Sequence, residues 1–206
     1  MEKSDYLQQL SDIKNIIEKS TKFKALSGFS GILAGIYALV GAFLAYRIVK
    51  NSDSINYYDL QNLVQSENLI KLLLLALTIF FASLFTGLYF SAQNAKKHQM
   101  NLWTPAAKKV LMNFGIPMLV GGIFAISVIL KGYLTLISPI CLLFYGLALL
   151  NAANYTFNET KILGYAILLI GCISLFTPGL GLYLWALGFG VFHIIYGVFM
   201  YNKYEK

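Results

Sequence analysis

No part of the chain constrains its fold more than Phe23 to Tyr46, FKALSGFSGILAGIYALVGAFLAY. About 20 residues at 1.5 Å each cross the hydrocarbon core of a bilayer, and this stretch is long and apolar enough to do so as a helix. Gly28, Gly31, Gly35, Ala38, Ala42 and Ala45 follow one another at spacings of 3, 4, 3, 4 and 3, while Ser27, Ala34 and Gly41 widen the same face. At about 3.6 residues per turn these positions share one side of the helix, and Ile32, Leu33, Ile36, Leu39, Val40, Phe43 and Leu44 cover most of the rest. Apolar burial drives little helix association in lipid, so a stripe of small residues acts by letting backbones approach and gain dispersion contacts. The stripe predicts a helix at the centre of a bundle, with Gly28, Gly31, Gly35, Ala38 and Ala42 as packing positions.

Only 12% of the 206 residues are charged and 58% are hydrophobic, about half the charge of a soluble domain, so the whole chain reads as an integral membrane protein. Its length caps the spans near six or seven and leaves no room for a separate soluble enzyme domain. In a soluble chain the net charge of +7 would suggest nucleic acid. Here it is assigned to anionic headgroups and membrane orientation, and no nucleic-acid partner is expected.

Met1 to Lys22 is mixed-charge and unlike a secretory signal. Ser4 can cap a helix in which Tyr6, Leu10, Ile13 and Ile17 form an apolar stripe. This cytoplasmic amphipathic helix, residues 1–22, could lie in the headgroup region, pair with a second copy or a partner protein, or fold back on the bundle. The remainder, 23–206, is expected to be one all-α domain of six transmembrane helices, at about 25–49, 68–93, 105–130, 133–151, 162–176 and 180–201. Tyr57, Leu60 and Val64 hint at a short interfacial helix after the first span. Thr104-Pro105 is an N-cap and first-turn pair for the third span, and Pro117 a kink within it. Tight turns at Lys131-Gly132-Tyr133 and Thr177-Pro178-Gly179 predict helical hairpins. Weak likeness among TGLYFSAQN, YGLALLNAAN and YGVFMYNK at the ends of the even spans fits three such hairpins in a repeat.

With the N-terminus inside, Lys3, Lys14, Lys19, Lys22, Lys24, Lys96, Lys97, Lys108, Lys109, Lys161, Lys203 and Lys206 fall on the cytoplasmic side, twelve of the sixteen basic residues. Arg47, Lys50, Lys71 and Lys131 face the other way. That asymmetry places both termini in the cytoplasm.

Signatures of common chemistry are absent: there is no P-loop, HExxH, GxSxG or CxxC, and every Asp and Glu falls in an expected loop or tail. Neither catalytic residues nor a cofactor are therefore expected, and the chain is not read as an enzyme. Cys141 and Cys172 lie in apolar runs and read as small buried residues. His193 is the one ionisable side chain deep in a span, on a small-residue stripe with Ala186, Gly190 and Gly197. An imidazole there needs hydrogen-bond partners, and Tyr37, Tyr145, Ser83, Thr86 or Ser174 could supply them. It is either a ligand-binding or proton-handling group in a polar cavity, or a neutral histidine bonded between helices. Tyr37, Tyr145 and Tyr196, which also lie well inside the spans, either line a small-molecule pocket with His193 or pack the core. One deep histidine with no second ligand nearby does not make a metal site. His98, in the lysine-rich connector, reads as solvated.

Within IKNIIEKSTKFKALSGFSGILAGIYAL, Ile13 to Leu39, the positions Glu18, Lys19, Ser20, Thr21, Phe23, Leu26, Ser27, Gly28, Ser30 and Gly31 resemble a signature of small six-span bacterial membrane proteins that have no assigned activity. The resemblance implies a bacterial inner-membrane location and a cytoplasmic winged-helix regulator as partner. Three function classes follow for the whole chain, and the last in rank is an intramembrane enzyme on lipid, for which the sequence offers no set of acid–base groups; the other two lead. One is a bundle that binds or transports a small, apolar or aromatic molecule near His193. The other is a membrane-anchored scaffold holding a cytoplasmic partner through its N-terminal helix and basic connector. Partners beyond the lipid bilayer are then a second copy of the chain or a cytoplasmic protein.

Overall fold

The computed structural model describes residues 23, 25–50, 67–97, 99 and 101–206. The amphipathic helix expected at 1–22, the interfacial helix expected near 57–64 and His98 lie outside the described residues. Those residues form six membrane-length helices: α1 (Gly28–Lys50), α2 (Glu67–Lys97), α3 (Pro105–Leu130), α4 (Ile137–Ala153, led in by a 3₁₀ turn at Leu134–Leu136), α5 (Asn158–Phe176) and α6 (Gly181–Tyr204). No strand occurs among them. The fold is an all-α bundle of six helices, each able to satisfy its own backbone hydrogen bonds in hydrocarbon.

Local chemistry sets several boundaries. Thr104 caps α3, its hydroxyl accepting from Ala107 N at 3.1 Å, with Pro105 in the first turn where no N–H is needed. The same helix ends in a Schellman turn: Tyr133 N–H reaches Val128 O and Gly132 N–H reaches Ile129 O, both at 2.9 Å, with Gly132 at φ +79°. Two helices outrun their apolar segments. α2 continues past Gln93 to Lys97, with Lys96 and Lys97 complementing the partial negative charge of a helix C-terminus. α5 begins at Asn158, four residues before the position expected, so the fifth span is not short and the connector shrinks to 154–157. Asn158 and Glu159 hid that start because hydropathy drops where a helix emerges into the headgroups. A carboxylate there is nevertheless favourable to the dipole.

The helices gather as two groups of three. α1 lies between α2 and α6, α4 lies between α3 and α5, and α6 joins the groups by touching α4 and α5. Two expectations are corrected here. The centre of the bundle is α4, with 44% of its most apolar window buried against 22% for α1, because only the small-residue side of α1 is covered. Val40 and Phe43 on its far side stay exposed to the surroundings. The hairpins also do not repeat: α5 and α6 share a tight turn yet touch far less than α4 with α5 or α1 with α6. The core is Leu142, Leu149, Leu163, Ile167 and Ile170, between α4 and α5.

Glycines set how closely these pairs approach. Along α1 and α6, a Cβ on Gly197 would sit 2.5 Å from Ile32 N and 2.6 Å from Gly28 O, and one on Gly35 would sit 2.6 Å from Gly190 O. A Cβ on Gly31 would meet Gly197 Cα at 3.3 Å, and Ala38 and Ala42 are buried farther along the same helix. Gly146 and Gly164 play the same part between α4 and α5, each lying against the other's carbonyl.

One end of the bundle is knitted by polar contacts. The Glu205 carboxylate accepts from Gly28 N–H and from Ser27 Oγ, capping the first turn of α1. A carboxylate at a helix N-terminus contributes about 1 kcal/mol. Glu159 accepts from Lys203 Nζ and from Tyr204 OH, tying the start of α5 to the end of α6. Phe23 N–H donates to Tyr155 O at 2.7 Å, and Thr156 Oγ1 donates to Phe23 O at 3.1 Å. The start of α1 and the end of α6 therefore lie at the same end of the bundle.

Candidate functional site

The polar feature deepest in the bundle sits on α6 at a local change of helix winding. From Ala186 to Val191 the helix opens into a π-turn, and Phe192 N–H reaches back five residues to Leu187 O. In an α-turn that N–H would have gone to the Gly188 carbonyl. Here Gly188 O accepts instead from the His193 ring, Nδ1 lying 3.0 Å away. A carbonyl can only accept, so Nδ1 carries the proton, and the other nitrogen of the neutral ring is an acceptor. That nitrogen, Nε2, receives the Tyr145 hydroxyl from α4 at 2.7 Å. The 94% buried imidazole thus has both nitrogens satisfied, one within its own helix and one across to the other group of helices.

Aromatic rings close around this pair. Phe189, one turn before the histidine, lies nearly parallel to the imidazole with centroids 5.9 Å apart. Tyr145 lies 4.8 Å from Phe189 and meets the edge of Phe114 of α3 at 5.6 Å. Trp185 covers the far side of Phe189 at 5.0 Å. Glycine matters at the turn because a Cβ on Gly188 would lie 2.6 Å from Leu142 of α4. The result is a filled helix contact. Two clefts among the described residues lie elsewhere, one where α1 begins and α2 and α6 end and one on the outer face of α6, and His193 lines neither.

Three of the four side chains singled out from the sequence as ligand candidates meet along this face. Besides His193 and Tyr145, the Tyr196 ring packs against the same core, with its hydroxyl 2.9 Å from Thr160 Oγ1 of α5. Tyr37 is apart from them. Its hydroxyl lies 3.4 Å from Thr86 Oγ1, between α1 and α2, and since Thr86 donates to Ala82 O at 2.7 Å it is Tyr37 that donates. Ser174 of α5, another proposed partner of the histidine, is buried with no hydrogen-bond partner among the described residues. The packing positions Gly190 and Gly197 face α1.

Sequence reasoning missed Thr160, the π-turn and the ring set of Phe114, Trp185 and Phe189. The GFG run at Gly188 to Gly190 was the available signal for an irregular turn. No signal pointed to Phe114, which arrives from a helix 31 positions before Tyr145. Among the described residues, no three His, Cys, Asp or Glu side chains cluster as metal ligands would.

Six helices, each long and apolar enough to cross a membrane, define a polytopic α-helical membrane protein. No family model, no curated protein and no solved structure matches the chain.

Proposed function

We propose that this is a multi-pass protein of a bacterial inner membrane that binds, and moves within or across the bilayer, a small apolar or aromatic molecule. The observation that carries the reading is the Tyr145–His193 hydrogen bond at the seam between the two helix groups, walled by aromatic rings and set beside a π-turn. Polar side chains at membrane depth mark functional sites more often than not, and single π-turns recur at such sites. Parting the pair would expose an acceptor, Nε2, and a donor, the Tyr145 hydroxyl, between flat apolar walls. That chemistry suits an aromatic ring bearing one polar group.

The test uses Trp185 as reporter. In a Trp103→Phe variant Trp185 is the only tryptophan, and it touches Phe189. Titration with 4-bromophenol, a contact quencher, is expected to quench it saturably. Tyr145→Phe should then weaken binding about tenfold by removing one hydrogen bond. A linear, non-saturating trace, identical in the Tyr145→Phe variant, would report mere partitioning and end the proposal. In that event the second reading gains: a scaffold holding a cytoplasmic partner, favoured by the exposed Lys96, Lys97, Lys108 and Lys109 around one short connector.

The bacterial origin rests on the likeness of Ile13 to Leu39 to small bacterial membrane proteins, and the cytoplasmic side on the lysine asymmetry. A cysteine in place of Lys206 should resist a membrane-impermeant thiol reagent in intact cells and react once the membrane is opened. Reaction in intact cells would invert the topology.

A further inference from the structure

We propose that the cleft where α1 begins and α2 and α6 end holds the phosphate headgroup of an anionic phospholipid. The cleft has a volume of about 480 Å³ and lies at the lysine-rich end of the bundle, where apolar helix gives way to polar side chains. Its floor is Phe90 and Tyr201, both resting on Phe29 of α1 with centroids 4.9 and 6.4 Å away. Its wall is the last turns of α2, with Gln93, Asn94, Lys96 and Lys97.

The charge balance favours an anion. Glu205 is the one carboxylate in the lining, and its oxygens are turned to the start of α1, where Gly28 N–H and Ser27 Oγ take them up. Lys97 donates to the Glu205 backbone carbonyl at 3.2 Å and keeps two further ammonium hydrogens. Lys96 is exposed, and neither lysine forms an ion pair among the described residues. Two ammonium groups beside amide donors suit a phosphate. The exposed Phe85, Leu88 and Tyr89 on α2 offer an apolar track for the acyl chains that a free phosphate lacks. Basic pockets between spanning helices near the membrane surface take anionic headgroups for these reasons. This site shares no residue with the His193 cluster and stands independently of the reading given to it.

Full-length protein in nanodiscs of phosphatidylcholine, doped with a photoactivatable phosphatidylglycerol, tests the assignment. Crosslinks are expected in peptides from the start of α1 and the ends of α2 and α6, with a matched photoactivatable phosphatidylcholine labelling them only weakly. Lys96→Gln with Lys97→Gln should cut the phosphatidylglycerol labelling about fivefold or more. Lys108→Gln with Lys109→Gln, the same charge change outside the cleft, should leave it unchanged. Equal labelling by both lipids in the wild-type protein would overturn the proposal whatever the variants do. So would equal losses in the two double variants, or full competition by soluble glycerol phosphate, which would mark a site for free anions.

Discussion

Gly197→Ala is expected to cost about 2–3 kcal/mol of stability, an unusually large penalty for adding one methyl group to a helix. The new Cβ would stand 2.5 Å from Ile32 N and 2.6 Å from Gly28 O. Those are backbone atoms of α1, so no side chain can rotate away, and the two helices must separate along their whole seam. Dispersion between close backbones is what holds helices together in lipid, so a widened seam forfeits the attraction itself. Gly35→Ala should behave similarly, its Cβ facing Gly190 O at 2.6 Å, and Gly31→Ala more mildly, with its nearest atom at 3.3 Å. Gly122→Ala is the control. Nothing lies within 4 Å of its Cβ position, and alanine should be neutral or stabilising by up to about 1 kcal/mol through helix propensity. The rise in labelling of the half-buried Cys141 by a thiol-reactive dye on heating, in a Cys172→Ala background, reads all four. Equal melting of the Gly197→Ala and Gly122→Ala proteins would show that the α1–α6 contact does not hold the bundle together.

The second large effect is expected at His193. His193→Leu keeps the volume roughly constant but leaves Gly188 O and the Tyr145 hydroxyl without partners at membrane depth. Unsatisfied buried groups cost about 1–3 kcal/mol each, which sets an expected loss of about 2–4 kcal/mol. Tyr145→Phe alone should cost about 1 kcal/mol, since it orphans only Nε2 of the imidazole. The double variant removes both members of the cross-helix bond and should lose less than the two single losses together, by about 1 kcal/mol. The same thermal assay measures this coupling. Strict additivity would mean that the hydrogen bond makes no contribution in the membrane.

Much of the architecture was legible in the residues before any contact was known. Six apolar stretches imply six helices because hydrocarbon offers backbone groups no other partner. Thr104-Pro105 marked the start of α3, and Gly132 marked the left-handed turn that ends it. The stripe of Gly28, Gly31 and Gly35 showed which side of α1 packs. Where helices ran on through Asn94 to Lys97, or began at Asn158 and Glu159, hydropathy was blind, because those turns are wet. His193 and Tyr145 were visible as candidates but not as a pair, since several hydroxyls at similar depth were equally good partners on paper.

What the chain alone determined is what is encoded within a few turns: which segments span, which face of each is small, and where helices are capped or turned. The tertiary structure decided that α4 is the most enclosed helix, and that Tyr145 meets the imidazole while Tyr37 turns to Thr86. It also decided that Glu205 caps a helix 177 positions away in the chain. The physical reason is that small-residue stripes and buried hydroxyls are interchangeable as sequence. Their selection is made by the few arrangements in which every close backbone approach and every buried polar atom find a partner at once.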